Sequence, residues 1–406
     1  MVDIEFAYDE GGVTTPAGFR ASGVHAGFRK DPKRLDAALV VSDGPDTVSC
    51  GMFTRNVFCA APVQLDRELL VDHEPRAVLL NSGNANAATG EPGLAIARKS
   101  AQAACRALGL PDGEVLVAST GVIGVELPWA PFETGIPALV ESLSPDGGHD
   151  AACAIMTTDT HPKEHALRFT YDGNEYAVGG MVKGSGMIQP NMATMLAVIT
   201  TDMPVAPETM RSILRTAVDV SFNKVTVDSD TSTNDSVFFF SSGVGAPVAD
   251  ADAASVVLGE AVRIVCEDLA RQIAADGEGA TKLVTVYVRD AASEADADKA
   301  ARTIANSPLV KTAIAGRDCN WGRIAAALGR SGARFDQYAV DIDIMGMSVL
   351  RAGLPCGFDE DEALRRFEAD EIVIEVSLGT DGDAATRVWT CDLTHEYIHI
   401  NADYRS

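Results

Sequence analysis

Residues 181–200 combine groups suited to cleaving their own chain. Lys183 is followed by small, flexible residues, and an apolar, strand-like run begins at Thr194. Ala193, directly before it, presents an unhindered carbonyl that the threonine hydroxyl could attack. An N-to-O acyl shift and hydrolysis would leave Thr194 as a new N-terminus, whose α-amine (reference pKa about 7.7–8.0) can act as base toward its own Oγ. The run allows a self-generated threonine nucleophile, but from the residues alone a threonine packed at a strand start is the favoured interpretation.

Residues 395–399 (His-Glu-Tyr-Ile-His) match a zinc-protease pattern in which two histidines one helical turn apart bind the metal. The surrounding segment is rich in β-branched and aromatic residues, which predicts an extended strand. A strand separates residues i and i+4 by roughly 13 Å, whereas a helix separates them by about 6 Å along its axis. Both imidazoles then could not bind one ion, and we assign no metal.

Residues 228–235 (Asp-Ser-Asp-Thr-Ser-Thr-Asn-Asp) resemble the start of a calcium loop or a phosphotransferase nucleophile. They lack the glycine and terminal glutamate of an EF-hand. Since such side chains brace turns through local backbone bonds, we predict a hydrogen-bonded strand end that lines a site. The sequence has no P-loop, complete Gly-x-Gly-x-x-Gly or Gly-x-Ser-x-Gly pattern, so the signatures of nucleotide-binding folds and serine hydrolases are missing.

Helical and strand periodicities alternate along the chain, which predicts an α+β fold of mixed α/β sheets with packed helices. Helices are predicted from good helix formers or an amphipathic stripe, and strands from alternating apolar residues. These are helices over 94–108 and 252–273, strands over 340–344 and 372–378, and loops over 140–150 and 242–248.

Composition excludes several classes of partner. The 406 residues carry 33 Lys+Arg against 58 Asp+Glu, a net charge of −25. Such a chain repels phosphate backbones and anionic lipid, so we expect neither nucleic acid nor membrane as a partner. Eight dispersed cysteines without a Cys-x-x-Cys pair predict reduced, mostly buried thiols. The N-terminal residues lack a secretory pattern, so a cytoplasmic location is expected.

The chain resembles the glutamate N-acetyltransferase (ornithine acetyltransferase) family of self-processing enzymes of arginine biosynthesis. The resemblance covers essentially the full length and rests on blocks in a fixed order. These are residues 81–87 (Asn-Ser-Gly-Asn-Ala-Asn-Ala), 118–124 (Ala-Ser-Thr-Gly-Val-Ile-Gly), 155–160, 183–187, 192–196 (Met-Ala-Thr-Met-Leu), 228–235, 278–282, 316–323 and 401–404.

The resemblance implies that Thr194 is the nucleophile in an N-terminal-threonine architecture. Cleavage between Ala193 and Thr194 would give an α chain, residues 1–193, and a β chain, residues 194–406, in one intertwined catalytic unit. Thr120 and Gly121 would form the oxyanion hole. From the residues alone, an ordinary turn after the strand over 115–118 is the favoured interpretation of Thr120 and Gly121.

The resemblance also implies a set of substrate contacts. We expect Lys183 to pair with the α-carboxylate of the substrate and Glu278 with the side-chain ammonium of ornithine. For Ser406, the terminal carboxylate is an alternative to the hydroxyl. The implied substrate contacts are Thr157, Lys183, Thr194, Glu278, Asn401 and Ser406.

The implied reaction moves acetyl from N²-acetylornithine to glutamate by a ping-pong mechanism through acetyl-Thr194. No metal or bound cofactor is expected, acetyl-CoA is a further donor in some family members, and two α and two β chains are expected to assemble. Three alternatives stay open: a self-processing amidase or aminopeptidase, a non-catalytic metabolite-binding protein, and a specialised transferase for an arginine-like precursor.

Overall fold

The structure, a computed structural model, describes residues 5–189 and 195–403. Ala193, Thr194 and Ser406 therefore lie outside the described residues. In chain order, the strands are β1 (Phe6–Asp9), β2 (Phe19–Val24), β3 (Ala37–Ser42), β4 (Val48–Phe53), β5 (Ala77–Asn84), β6 (Val115–Val122), β7 (Lys163–Tyr171), β8 (Asn174–Lys183), β9 (Leu196–Thr201), β10 (Ser236–Ser241), β11 (Leu283–Ala291), β12 (Asp341–Ile344), β13 (Met347–Arg351), β14 (Leu354–Pro355), β15 (Glu371–Ser377) and β16 (Ala384–Cys391).

The helices surround these strands on several sides. Most begin at a proline or at a side chain that caps the first turn, as Asp250 does by accepting from the Ala253 N–H at 3.0 Å. In chain order, the helices are α1 (Ala61–Asp72), α2 (Gly90–Leu108), α3 (Ala130–Glu141), α4 (Gly148–Ile155), α5 (Pro207–Val220), α6 (Ala251–Ala275), α7 (Glu294–Ala305), α8 (Pro308–Ala315), α9 (Trp321–Gly329), α10 (Glu360–Arg366) and α11 (His395–Asp403).

The central sheet has the strand order β1-β7-β8-β9-β10-β4. β9 and β10 run parallel to each other, and their outer neighbours β8 and β4 pair with them in antiparallel fashion. Both faces of this sheet are buried. In β10, Phe239 packs with the core under α5 and α6, while Phe238 and Phe240 enter the core on the opposite face. Continuous apolar runs are typical of strands covered on two sides.

Two further sheets complete the fold. The four-stranded sheet β2-β3-β5-β6 shares a core with the central sheet and packs its other face against α1, α2 and α3. The sheet β14-β13-β12-β15-β11-β16 forms a separate core with α7, α8 and α9. The prediction of mixed sheets with packed helices is confirmed. No helix among residues 5–189 and 195–403 is long and apolar enough to cross a membrane.

Most predicted elements are confirmed with small shifts of their ends. The predicted helix over 94–108 lies within α2, which ends at Gly109 with a left-handed φ of 71°. The helix over 252–273 is α6, and the predicted strands over 340–344 and 372–378 are β12 and β15. The predicted loop over 140–150 is shorter, because α3 extends to Glu141 and α4 begins at Gly148.

The predicted strand over residues 395–399 is wrong. β16 ends at Cys391, and α11 begins at His395, where the Thr394 hydroxyl accepts from the Glu396 N–H at 3.2 Å. Tertiary contacts of this helix with the loop before β11 override the β-propensity of its residues.

Candidate active site

A pocket lies where the ends of several strands meet. β6 and β8 end at it, β9 and β10 begin at it, and loops after α4 and α6 close it together with α11. Its lining residues are Ala85, Thr120, Gly121, Ile123, Thr157, Thr158, Lys183, Gly186, Met187, Met195, Leu196, Ser232, Thr233, Asn234, Asp235, Glu278 and Asn401.

This pocket brings together the site residues predicted from the sequence that the structure describes. The ladder between β8 and β9 sets Lys183 opposite Leu196, so Lys183 lies beside the start of the strand that follows the expected cleavage position. Met195, the residue after Thr194, lines the pocket directly. The predicted residues that line it are Thr120, Gly121, Thr157, Lys183, Glu278 and Asn401.

The end of β6 holds Thr120 and Gly121 in a bulged part of the β5–β6 ladder, next to Gly83 and Asn84. Bulges of this kind re-aim side chains at strand ends. Gly121 has a φ of 132°, and a Cβ added to it would lie 2.4 Å from the carbonyl carbon of Gly83, so only glycine fits. The position predicted for the oxyanion hole is therefore a backbone arrangement that other residues would disrupt.

Buried amides brace this strand end. The Asn234 amide donates to the carbonyls of Ser119 and Ala85, at 2.8 and 2.5 Å, and the Ser119 hydroxyl donates to the Asn81 side chain at 2.7 Å. The loop before β10 thus fixes the residue that precedes Thr120. Of the block 228–235, predicted to form a hydrogen-bonded strand end lining a site, residues 232–235 line the pocket.

Lys183 is buried and has a displaced pKa. Burial lowers the pKa of its ammonium group, while the negative charges of Asp159 and Glu278 oppose that change. Burial alone would raise the pKa of Asp159, but the charges of Lys183 and Lys163, with hydrogen bonds, hold that pKa well below its ordinary value. The site thus keeps an ionised carboxylate near a desolvated lysine.

A buried charge network positions the loops around Lys183. The Lys163 ammonium, fully buried, lies 2.7 Å from Asp159 Oδ1 and 2.5 Å from Asp276 Oδ2. Asp159 also accepts from the backbone N–H groups of Thr157 and Gly184, at 2.8 and 2.7 Å. One carboxylate therefore fixes two pocket loops relative to each other.

Glu278 reaches the pocket from the loop after α6. Its N–H donates to the Ser185 carbonyl at 2.9 Å, and its carboxylate accepts from the Asn401 amide on α11 at 2.7 Å. A Cβ on Gly186 would lie 2.4 Å from the Glu278 carboxyl carbon, so this glycine leaves room for the carboxylate. Gly186 thus allows an anionic group to approach closely.

Sequence reasoning did not single out two residues of this site. Asn234 braces the strand that carries Thr120, and Asp235 is a pocket carboxyl with 1% exposure. Both lie in the block 228–235, where composition indicated a site but gave no individual roles.

The histidines of α11 lie one turn apart, unlike in the predicted strand. His399 is exposed and pairs with Glu396 and Asp403 of the same helix, at 3.4 and 3.3 Å. Within the described ranges, no three metal-binding side chains form a cluster. The helix therefore restores the spacing of the zinc pattern without adding a third ligand among those residues.

A buried lysine and a buried carboxylate beside a braced, glycine-dependent strand end define an enzyme site for a small charged substrate. Comparison with known proteins gives the family. The ArgJ family profile matches residues 20–406. The arginine biosynthesis bifunctional protein ArgJ of Symbiobacterium thermophilum is 47% identical over 98% of this chain and 99% of that protein. Its counterpart from Geobacillus kaustophilus is 44% identical over 98% and 97%.

A solved structure agrees with these sequence matches. The crystal structure of the arginine biosynthesis bifunctional protein ArgJ from Bacillus halodurans is 42% identical, with a TM-score of 0.50 over 52% of this chain and all of that chain. The chain belongs to the ArgJ family. The resemblance drawn from the ordered sequence blocks is thereby confirmed.

Proposed function

We propose that this protein transfers the acetyl group of N²-acetylornithine to glutamate, giving ornithine and N-acetylglutamate in arginine biosynthesis. The observation that carries the proposal is a single pocket that holds Lys183, Glu278, Thr120 and Gly121 beside Met195. A cation and an anion in one pocket suit amino acids that carry both charges. N²-acetylornithine and N-acetylglutamate both have an α-carboxylate, which Lys183 would bind.

The reaction proceeds in two half-reactions. The Thr194 α-amine takes the proton from Thr194 Oγ, which attacks the acetyl carbonyl, and the amine then returns the proton to the departing ornithine nitrogen. The Thr120 hydroxyl and the Gly121 N–H stabilise the negative oxygen of the tetrahedral intermediate. Glutamate attacks acetyl-Thr194 in the second half-reaction, and this step regenerates the enzyme.

The test is identification of products. Purified protein is given N²-acetylornithine with and without glutamate, and free ornithine, N-acetylglutamate and acetate are quantified by mass spectrometry. We expect N-acetylglutamate to match the ornithine released, and without glutamate one acetyl group on the fragment that begins at Thr194. Acetate as the main product would instead indicate an amidase, and no turnover of any donor would indicate a binding protein. A third reaction contains acetyl-CoA as the acetyl donor in place of N²-acetylornithine.

Replacing Thr120 by alanine is expected to lower the rate of transfer by roughly 10²–10³, because one donor to the oxyanion is lost. Steady-state kinetics with both substrates measures the change in kcat. Since Asn234 bonds to Ser119 and not to the Thr120 side chain, the pocket itself is expected to keep its shape. Unchanged kcat in the folded Thr120→Ala protein would remove this residue from the mechanism.

Replacing Glu278 by glutamine tests which part of the substrate this residue binds. Glutamine can still accept from the Asn401 amide, so the loop contact is retained while the negative charge is lost. We expect KM for N²-acetylornithine to rise about 10-fold or more, the scale of one charged hydrogen bond. Glu114→Gln, outside the pocket, is the control. An unchanged affinity for N²-acetylornithine would refute the role of Glu278.

The proposal includes cleavage between Ala193 and Thr194 into chains of 193 and 213 residues. The central sheet supports their staying together, because β8 and β4 of the first chain pair with β9 and β10 of the second. We further propose a cytoplasmic enzyme of two α and two β chains without a bound cofactor. Eight free cysteines are consistent with a reducing compartment.

A further inference from the structure

Asp235 is a buried carboxyl in the pocket for which the mechanism above has no use. It is 1% exposed, and among the described residues its Oδ2 has no hydrogen-bond partner. Its backbone is fixed, since its carbonyl accepts from the Thr54 N–H at 2.9 Å. A buried polar atom without a partner destabilises the fold, so its presence in a pocket points to a role.

The sheet places Asp235 beside the residue that follows Thr194. β9 and β10 are parallel, with Ser236 opposite Leu196, and the Ser236 N–H donates to the Met195 carbonyl at 2.9 Å. Asp235 is thus the lateral neighbour of Met195, the residue directly after Thr194. Glu278, the other carboxyl that lines the pocket among the described residues, does not occupy this register position.

The surroundings of Asp235 suit proton transfer. Burial raises the pKa of Asp235 well above its ordinary value, while the hydroxyls of Ser232 and Thr54, the charge of Lys183 and the Met195 N–H each lower it. A carboxylate with a raised pKa is a stronger base than one with an ordinary pKa.

The uncut chain needs a base other than the α-amine. Before cleavage, the Thr194 nitrogen is part of a peptide bond and has no basic lone pair. We propose that Asp235 is the catalytic residue that moves the proton during self-cleavage. This inference rests on the proposed function, because it concerns how the threonine nucleophile of that function is generated.

Self-cleavage by this route passes through an ester at Thr194. The Asp235 carboxylate takes the Thr194 Oγ proton while Oγ bonds to the Ala193 carbonyl carbon. Protonated Asp235 then gives that proton to the Thr194 nitrogen, and the carbon–nitrogen bond breaks to leave an ester and a free amine. Water hydrolyses the ester, so that Ala193 ends in a carboxylate and the Thr194 hydroxyl is restored.

The experiment follows cleavage of the full chain by denaturing intact mass after expression, for wild type, Asp235→Asn and Asp66→Asn. Asp66 is the matched control, since it is fully buried on α1 with one partnerless oxygen, and its other oxygen accepts from the Val117 N–H at 3.0 Å. Thermal melting establishes that each variant is folded.

We expect Asp235→Asn to be cut roughly 10²–10⁴-fold more slowly than wild type, the usual contribution of a general base, and Asp66→Asn to be cut at the wild-type rate. Hydroxylamine, which cleaves esters, is expected to release no fragment from the uncut Asp235→Asn chain. Cleavage of Asp235→Asn at the wild-type rate, its release by hydroxylamine, or an equal delay in Asp66→Asn would each overturn the assignment.

A second variant covers the case in which Asp235→Asn does not fold. Asp235→Ala leaves space for a small carboxylate, so added formate is expected to restore cutting, whereas a folded Asp235→Ala chain that formate does not rescue would contradict the proposal. These experiments measure chain cleavage by mass and do not depend on acetyl transfer. Wild-type protein that is cut but passes no acetyl group to glutamate would therefore reject the proposed function alone.

Discussion

Thr194→Ala protein is expected to be isolated as one uncut chain and to show no acetyl transfer above background. Alanine lacks the hydroxyl that attacks the Ala193 carbonyl, so neither the ester nor the free α-amine can form. The same hydroxyl would carry the acetyl group, so self-cleavage and turnover are lost together. Intact mass with N-terminal sequencing of the fragments, together with the product assay, measures both losses.

The matched variant is Thr194→Ser, which keeps a hydroxyl on the same carbon. We expect it to be cut between residues 193 and 194 and to retain measurable transfer. Two chains in the Thr194→Ala sample, split at the same position, would show that another group performs the attack. A single chain in wild type as well would remove the free α-amine from the mechanism and favour the binding-protein interpretation.

Replacing Lys163 by methionine is expected to destabilise the fold by about 3–5 kcal/mol, the usual cost of removing one partner from a buried ion pair. The Lys163 ammonium bridges Asp159 and Asp276, and all three side chains are nearly inaccessible to solvent. Methionine has a similar volume, so the loss arises from two carboxylates that keep their burial without their cation. Denaturant titration followed by circular dichroism measures the change.

The control is Arg98→Met, which removes an ion pair with Glu68. Both of those side chains are about half exposed (48% and 58%), so we expect the free energy of unfolding to change by no more than about 1 kcal/mol.

The pH dependence of the free energy of unfolding supplies a second check. Because the folded pKa of Asp159 is depressed, its stabilising contribution is complete above its ordinary value of 3.8 and is lost as pH falls below it. The difference between wild type and Lys163→Met should therefore shrink in acid, and a constant difference would contradict the charge argument.

The sequence predicted elements whose signal is local. The apolar stripe of α6 and the helix-stopping Gly109 after α2 need no knowledge of distant contacts, and both predictions were confirmed. Residues 395–399 show the limit of such reasoning. Their β-branched and aromatic residues favoured a strand. The helix α11 forms because the Thr394 hydroxyl bonds to its first turn and the Asn401 amide bonds to Glu278.

The network of Lys163 could not be predicted for a related reason. Asp276 lies 113 residues from Lys163 in sequence, and each residue alone has the composition of an exposed charge. Asp235 could not be predicted either, because only the register between β10 and β9 places it beside Met195. Family resemblance identified the residues expected to contact the substrate, whereas the groups that brace them became visible only in three dimensions.

The placement of β9 and β10 between β8 and β4 determines when the chain can be cut and what the cut can release. The strands that flank residues 184–195, β8 and β9, pair with each other, and β10 and β4 continue the sheet beyond β9. The two strands that flank the expected cleavage position pair only once this sheet has assembled, so we expect cleavage to follow folding. After cleavage, separating the two chains would require breaking both the β8–β9 ladder and the β4–β10 ladder. We therefore expect the two fragments of a cleaved chain to stay paired and not to exchange with fragments of other molecules.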